Sequence, residues 1–409
     1  MPLRRVVITG VGAVSPFGAG AEKMMAALTR GESGIGRLPQ HDYSDTQDVP
    51  QVAGRVPRLD TTRIPRRHRR TMSPMSCWSL LAAEEALAQA AFPRERLSDP
   101  RFGVIVGSTM GSIDTWRSIF ENYLVARQFA AVKARDFFRI MGHSVASNLA
   151  QALDITGRVM AVTSACASSA LSIGMAYEAI ACGLQDAMLC GGADEFHPLT
   201  IATFDHMAAA SRGFNEHPHA TPRPFDQQRD GVVCAEGAGI LLLESRSRAL
   251  ARGATILAEI TGFASASDVS SIANPDPLPL RRCMQQALNH AQLPVDALSY
   301  INAHATGTRL GDIAESEAIA GLCGKLVPVS SLKGHLGHTM AASGALELIA
   351  CIGMLQQEVL IPTRNLDNPD ERCDSIRHVS GITSTPVQHV LKNSFALGGI
   401  ISTLILRKI

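Results

Sequence analysis

Val162-Thr163-Ser164-Ala165-Cys166-Ala167-Ser168-Ser169-Ala170 is made almost wholly of small residues. It lies between an apolar run at 159–163 and an Ala-rich stretch at 170–181. The run reads as a strand and the stretch as a helix, so the segment is a tight strand-to-helix turn. Small side chains let such a turn present one residue, Cys166, to a cavity. The helix that follows would aim its first N–H groups and its positive dipole end at the sulfur, which favours thiolate over thiol. The same N–H groups can hold an oxyanion when a thioester at that sulfur is attacked. An inert core cysteine is the alternative reading, and it suits most of the other eight cysteines.

The alternation continues outward in both directions. Short β-rich runs at 6–8, 103–107, 187–189 and 240–243 are separated by helical stretches such as 79–91 and 170–181. A second series begins near Thr255. It has strands at 256–261, 299–303, 327–330, 390–394 and 403–406, and helices at 279–291 and 341–356. Continuous apolar strands between helices predict an α/β layer structure with sheets covered on both faces. The two series share order and rhythm, which points to an internal duplication. The junction falls in 245–253, short and rich in Ser and Arg. This gives halves 1–253 and 254–409 within one integrated catalytic unit.

Lys plus Arg number 38 against 37 Asp plus Glu, a net charge of +1, so overall charge makes no case for nucleic-acid binding. With 46% apolar and 18% charged residues the chain reads as folded and not disordered. The nine cysteines include no C-x-x-C pair, which argues against a zinc ribbon or a redox dithiol. An odd count with no signal peptide predicts reduced thiols in a cytoplasmic setting. No run of about 18 apolar residues stands out as a membrane span.

Two motifs stand at strand ends of the second series. Asn302-Ala303-His304-Ala305-Thr306-Gly307-Thr308 projects a histidine, with hydroxyls two and four residues on that can bind a polar ligand arm. Gly311-Asp312-Ile313-Ala314-Glu315 reads as the start of a helix. Ser331-Leu332-Lys333-Gly334-His335-Leu336-Gly337-His338 comes next, ahead of Met340 and Glu347. Its glycines predict a loop where backbone approaches a ligand. His335 and His338, three apart, would form a metal pair on a helix. The glycines argue against a helix and no carboxylate stands at ligand spacing, so no metal is expected. A capped core histidine and a solvated lysine are the plainer readings of these motifs. Taken together, one Cys, two His and a Lys at strand ends form a nucleophile–base constellation. It serves hydrolysis, acyl transfer or condensation equally well.

Further stretches carry a resemblance. Arg5-Val6-Val7-Ile8-Thr9-Gly10-Val11-Gly12, residues 163–168, Pro224-Phe225-Asp226 with Arg229-Asp230-Gly231, Glu236-Gly237-Ala238-Gly239 and Lys392-Asn393-Ser394-Phe395-Ala396-Leu397-Gly398-Gly399 form one ordered set. With these the chain resembles β-ketoacyl-acyl carrier protein synthases that elongate fatty acids, and the related type II polyketide ketosynthases. The similarity covers nearly the whole length. It implies an α/β thiolase fold of two duplicated βαβαβαββ halves in a five-layer αβαβα arrangement, usually dimeric. It implies decarboxylative condensation of a Cys-bound acyl group with malonyl-acyl carrier protein. Cys166 matches the acyl-accepting nucleophile, and His304 and His338 the pair that promotes decarboxylation and steadies the enolate. Lys333 matches the lysine that orients this pair, and Asp312, Glu315 and Glu347 the supporting polar network. Thr306 and Thr308 match hydroxyls that hold phosphopantetheine, and Met110, Phe395, Leu397 and Gly398 join them as substrate-binding positions. The N–H groups of Cys166 and Leu397 would form the oxyanion hole. Arg66, Arg67, Arg69 and Arg70 align with a basic segment near the pocket mouth that docks the acidic carrier protein; a solvated helix face is the alternative.

The resemblance implies no metal and no redox cofactor, since substrates arrive on the phosphopantetheine of acyl carrier protein. It implies a homodimer, or a heterodimer with a related ketosynthase or chain-length-factor-like subunit, and neither nucleic acid nor membrane as partner. The sequence departs from the family at its gate: a Phe is replaced by Leu397, and a Thr-Asn pair by Ile400-Ile401. Ala273 stands where the family has a pantetheine-contacting Thr. These changes point to a specialised polyketide or polyene role, or, for the Ile pair, to packing against a non-identical subunit. A chain-length-factor-like protein lacking the nucleophile, a thiolase with a second catalytic Cys, and a thioester hydrolase are the competing functions.

Overall fold

The strand Val6–Ser15 is buried along its whole length and pairs antiparallel on both sides, with Gly237–Ser245 and with Ala258–Ser267. It joins two strand sets into one sheet. The computed structural model that shows this describes residues 3–39 and 49–409. Among the described residues the large sheet has twelve strands. The short strand Gly18–Ala19 forms a hairpin with Val6–Ser15, off the main order.

On one side of the junction the order is Val159–Met160, Phe102–Gly107, Ala187–Asp194, Gly237–Ser245, Val6–Ser15. On the other it is Pro328–Ser330, Tyr300–Asn302, His389–Ala396, Ile400–Arg407, Ala258–Ser267, with Arg377–His378 added at the outer edge. Numbered within its own set, each side reads 3-2-4-5-1. In each, strand 2 is parallel to strands 3 and 4, and strand 5 is antiparallel to strands 4 and 1. Each set runs βαβαβαββ in chain order. The duplication is thus written in the hydrogen-bond pattern.

The helices complete the layers. Ser168–Ala181 and Ser343–Gln357 pack on each other and on strands of both sets. Pro74–Gln89 and Ser144–Ala152 cover the outer face of the first set, and Pro277–Ala291 and Arg309–Cys323 cover the second. The three largest apolar clusters follow the layers. The central one joins Ile173 and Ile180 to Leu346 and Leu355. The outer ones centre on Leu81, Leu149 and Val104, and on Leu288, Ile319 and Leu391.

Several expected boundaries move. The strand before the cysteine turn is only Val159–Met160, at the sheet edge with Val159 41% exposed, because the chain turns early toward the helix. The strand expected at 187–189 runs on to Asp194 and takes in Gly191 and Gly192. A side chain at Gly192 would come 2.4 Å from the carbonyl oxygen of Ala341, so the segment leading into the central helix Ser343–Gln357 approaches the strand closely there. The junction segment holds a short helix, Arg246–Ala251. The helix Met340–Gln357 is long and apolar enough to cross a membrane, contrary to the expectation that no such stretch stands out. It is 83% buried as a central layer of the fold, where a largely apolar helix belongs.

Candidate active site

Cys166 sits in a one-turn 3-10 segment, Ala165–Ala167, that runs directly into the helix Ser168–Ala181. Ala165, just before it, has φ of +45°. The second half repeats this device. Met340, at φ +49°, opens the 3-10 segment Met340–Ala342 ahead of Ser343–Gln357. The two central helices therefore start at one place, and Ser169 Oγ accepts the Ala345 N–H at 3.0 Å. Asp194 ties them further: it accepts the Ala341 N–H at 2.8 Å, the Thr109 N–H at 3.1 Å and the Thr109 hydroxyl.

A cavity of about 480 Å³ opens at this junction, lined by Cys166, His304, His338, Thr306, Thr308 and Phe395 among others. The His304 and His338 rings stand 5.3 Å apart, nearly perpendicular at 83°. The Phe395 ring lies 5.6 Å from His304. His304 Nδ1 and both ring nitrogens of His338 are buried without a hydrogen-bond partner. Such groups are costly to leave unmade and stand ready for a substrate.

Carboxylates hold the histidine loop by its backbone. Glu315 accepts the N–H of His304 at 2.9 Å and of Ala305 at 2.7 Å. Asp312 accepts those of Thr306 at 3.0 Å and Gly307 at 3.2 Å. His338 is fixed by bonds to a neighbouring segment: its N–H donates to Val233 O and its carbonyl accepts from Ala235 N–H, both at 2.8 Å. Beneath the rings, Glu347 takes Lys333 Nζ on one oxygen at 2.6 Å and Lys392 Nζ on the other at 2.5 Å. All three side chains are buried.

The electrostatics follow from burial and these charges. Burial, Lys333 and Lys392 push His338 well below the usual histidine range, and His304 likewise with a further push from His338. Both rings are neutral at physiological pH. Burial pushes Glu347 up, but the two lysines together hold it below the usual carboxylate range. Burial raises Glu315, and raises Asp312 to about 7 against the pull of Arg229. Cys166 corrects an expectation. Burial pushes its thiol up to about 12; Lys333 and the N–H groups of Cys166 and Leu397 pull the other way and lose. Burial thus favours the thiol form of the resting sulfur. The same two N–H groups nevertheless converge on it.

The cavity gathers Cys166, His304, His338, Thr306, Thr308, Phe395 and Leu397, and Lys333, Glu315, Asp312 and Glu347 stand behind them. Gly398 does not line it; its N–H donates to Ile272 O at 2.9 Å and so fixes the turn at φ +88°. Met110 does not line it either and is 47% exposed. The four arginines lie away from this cavity, on and beside the short helix Arg66–Arg69, and Arg69 lines a different one. Residues 333–336 form a helical turn despite the glycines. It directs His335 away, onto the carbonyls of Glu32 at 3.0 Å and Pro362 at 3.1 Å. Ile400 and Ile401 line the cavity, and Ile401 is 1% exposed, so the pair forms part of its wall. Lys392 and Asp194 were not foreseen. Each sits within a strand whose sequence gives no hint of what lies opposite.

Comparison with known proteins agrees with this picture. The beta-ketoacyl synthase N-terminal domain family matches residues 3–249 and its C-terminal domain residues 257–367. The chain is 35% identical over 410 residues to 3-oxoacyl-[acyl-carrier-protein] synthase 1 of Escherichia coli (strain K12), covering 100% of both. It is similar to a solved beta-ketoacyl synthase from Burkholderia phymatum STM815, with TM-score 0.94, 40% identity and 99% and 100% of the two chains covered. It is also similar to the ishigamide ketosynthase/chain length factor, with TM-score 0.91, 30% identity and full coverage of both chains.

Proposed function

The chain belongs to the beta-ketoacyl synthase family and has its thiolase fold, and from that premise we propose how its own residues carry the condensation. The reaction joins a Cys-bound acyl group to malonyl-acyl carrier protein with loss of CO₂, in fatty acid or polyketide synthesis. Cys166 is the acyl acceptor. Its sulfur attacks the carrier thioester, and its proton leaves with the departing pantetheine thiol. In the second half-reaction the malonyl C–CO₂⁻ bond breaks, and the electron pair passes into the thioester as an enolate. His304 and His338, neutral and donating, hold the enolate oxygen. The enolate carbon then attacks the Cys166 thioester, and the N–H groups of Cys166 and Leu397 hold the oxyanion that forms. Collapse releases the β-ketoacyl-carrier product and the Cys166 thiolate, which takes up a proton from solvent to restore the thiol.

The observation that carries this reading is one cavity holding a thiol and two neutral, unpartnered histidines above a buried lysine–glutamate–lysine cluster. A thiolase would bring a second cysteine to the pocket, and Cys166 is the sole cysteine lining it among the described residues. The enolate oxygen and the oxyanion each have protein donors and no step is an oxidation or reduction, which supports a reaction without a metal or redox cofactor. Thr306 and Thr308, 3.1 Å apart at the cavity wall, suit the amides of a phosphopantetheine arm.

A second related subunit fits the edge strand Val159–Met160 and the exposed Phe120, Leu124, Val125 and Phe129 on residues 113–139. Size exclusion of the chain expressed alone separates a homodimer from a heterodimer. Nine free thiols suit a reducing cytoplasm. The test of function is CO₂ release from malonyl-acyl carrier protein by wild type and His304→Ala, with intact-mass detection of an acyl adduct on Cys166. Release that wild type lacks, or that His304→Ala retains in full, sinks the reading.

A further inference from the structure

One carboxylate faces two ammoniums at the base of the site. Glu347 lies on the central helix Ser343–Gln357, Lys333 on the turn before it and Lys392 on the strand His389–Ala396. Lys392 Nζ meets Glu347 Oε2 at 2.5 Å and also donates to the Asn393 carbonyl. Lys333 Nζ meets Oε1 at 2.6 Å. The lysines are 0% and 1% exposed and Glu347 1%. A buried pair needs one cation, and burying a second is costly unless it serves something. The next residue, Asn393, points to the other face and donates to Glu315 Oε1 at 3.0 Å, so one strand reaches both acids behind the histidines.

We propose that Lys392 is a positioning residue for the decarboxylation half-reaction: by occupying one oxygen of Glu347 it leaves net positive charge beside His304 and His338, and so sets the field in which the two rings donate to the extender's carbonyl. The proposal rests on the condensing function given above. Burial and Lys333 act on both rings in the same direction, and Lys392 adds to them. A protonated ring would have lost the balance that lets it donate without becoming a competing cation beside the extender's carboxylate. The other titratable groups around the cluster are Glu315 on the helix Arg309–Cys323, Tyr300 on the neighbouring strand, Cys351 on the central helix and Cys166 across the cavity. Among these Glu315 is the one whose ionisation would offset Lys333. Ring NMR therefore has to assign any limb to the histidines.

The experiment measures CO₂ release from malonyl-acyl carrier protein by the full chain between pH 5 and 9, for wild type, K392M, K392Q and K392R. Histidine ring signals are followed in parallel. Absence of release by wild type overturns the functional reading itself, whatever the variants do. With wild-type release in hand, removal of a positive charge raises the ring pKa. The acidic limbs of K392M and K392Q are expected to move up by on the order of one pH unit, while K392R overlays wild type. K392Q keeps a donor for Glu347 and serves where K392M does not fold. Limbs that coincide in all variants, with only the plateau lowered, overturn the proposal and leave Lys392 a structural residue.

Discussion

Cys166 is 6% exposed among apolar neighbours that include Phe196, Ile201 and Met340, and its thiol keeps its proton at neutral pH. Alkylation should show this. Iodoacetamide labelling of Cys166, read by peptide mass spectrometry, is expected to rise about tenfold per pH unit from 7 to 9 without a plateau. The exposed Cys182 is expected to react first. A plateau near pH 7 would mean a stable thiolate. Glu347 gives a second expectation. Replacing it by Gln strands two buried ammoniums, so Glu347→Gln should cost about 3–5 kcal/mol at pH 7 by denaturant unfolding. Its folded pKa lies below the unfolded one, so this contribution is complete above the ordinary Glu range. It is lost as pH falls through the depressed folded value. Cys166, His304, His338 and Lys333 were legible as a candidate cluster because each stands in a turn or loop among glycines or small residues, and their roles came with the family resemblance. Lys392 was not, because Val390-Leu391-Lys392-Asn393 is an ordinary strand pattern until its partner helix is in place. The burial that raises the Cys166 thiol was not legible, because a helix start is visible in sequence and desolvation is not.

Elements position these residues through a few backbone conformations. Gly337 has φ of +71°, and a side chain there would come 2.9 Å from both Ala235 Cβ and Ile35 Cδ1. It ends the turn Lys333–Leu336 and swings His338 into its bonds with Val233 and Ala235. Gly337→Ala combines a left-handed penalty with overpacking, and about 2–3 kcal/mol of stability should be lost. Because His338 moves with the turn, CO₂ release should fall further than acyl transfer to Cys166. Equal loss in both would show that the glycine matters only for folding. The glycines themselves were read correctly as a site of close approach, but the helical turn between them was not. The reason is that Leu332 N-terminally and the buried Lys333 hold it by tertiary contact and not by propensity. The helix Pro74–Gln89 was found only in part for a related reason. It is covered on most sides, so its buried residues show no 3.6-residue stripe.

At the scale of the whole molecule, a duplicated α/β layer structure was legible from the rhythm of strands and helices, and the repeat order and the five layers came with the family resemblance, while the exchange between halves was not legible. The central helix Ser343–Gln357 belongs by sequence to the second set, yet it packs on Val6–Ser15, Ala187–Asp194 and Gly237–Ser245 of the first. The central cluster draws Val6, Ile173 and Leu241 from one half and Leu346, Ile352 and Leu404 from the other. The nucleophile comes from the first set and the histidines from the second, so catalysis and the central core need both together. A fragment of residues 1–253 would expose the face of its sheet and of Ser168–Ala181 that this helix covers. Alone it should therefore aggregate or unfold without a cooperative transition. Co-expressed with residues 254–409, it should be recovered as a complex that regains acyl transfer. A fragment 1–253 that is monomeric and melts cooperatively by itself would mean that the central layer is an interface between two independent domains. The shared cluster of fully buried residues argues for one folding unit.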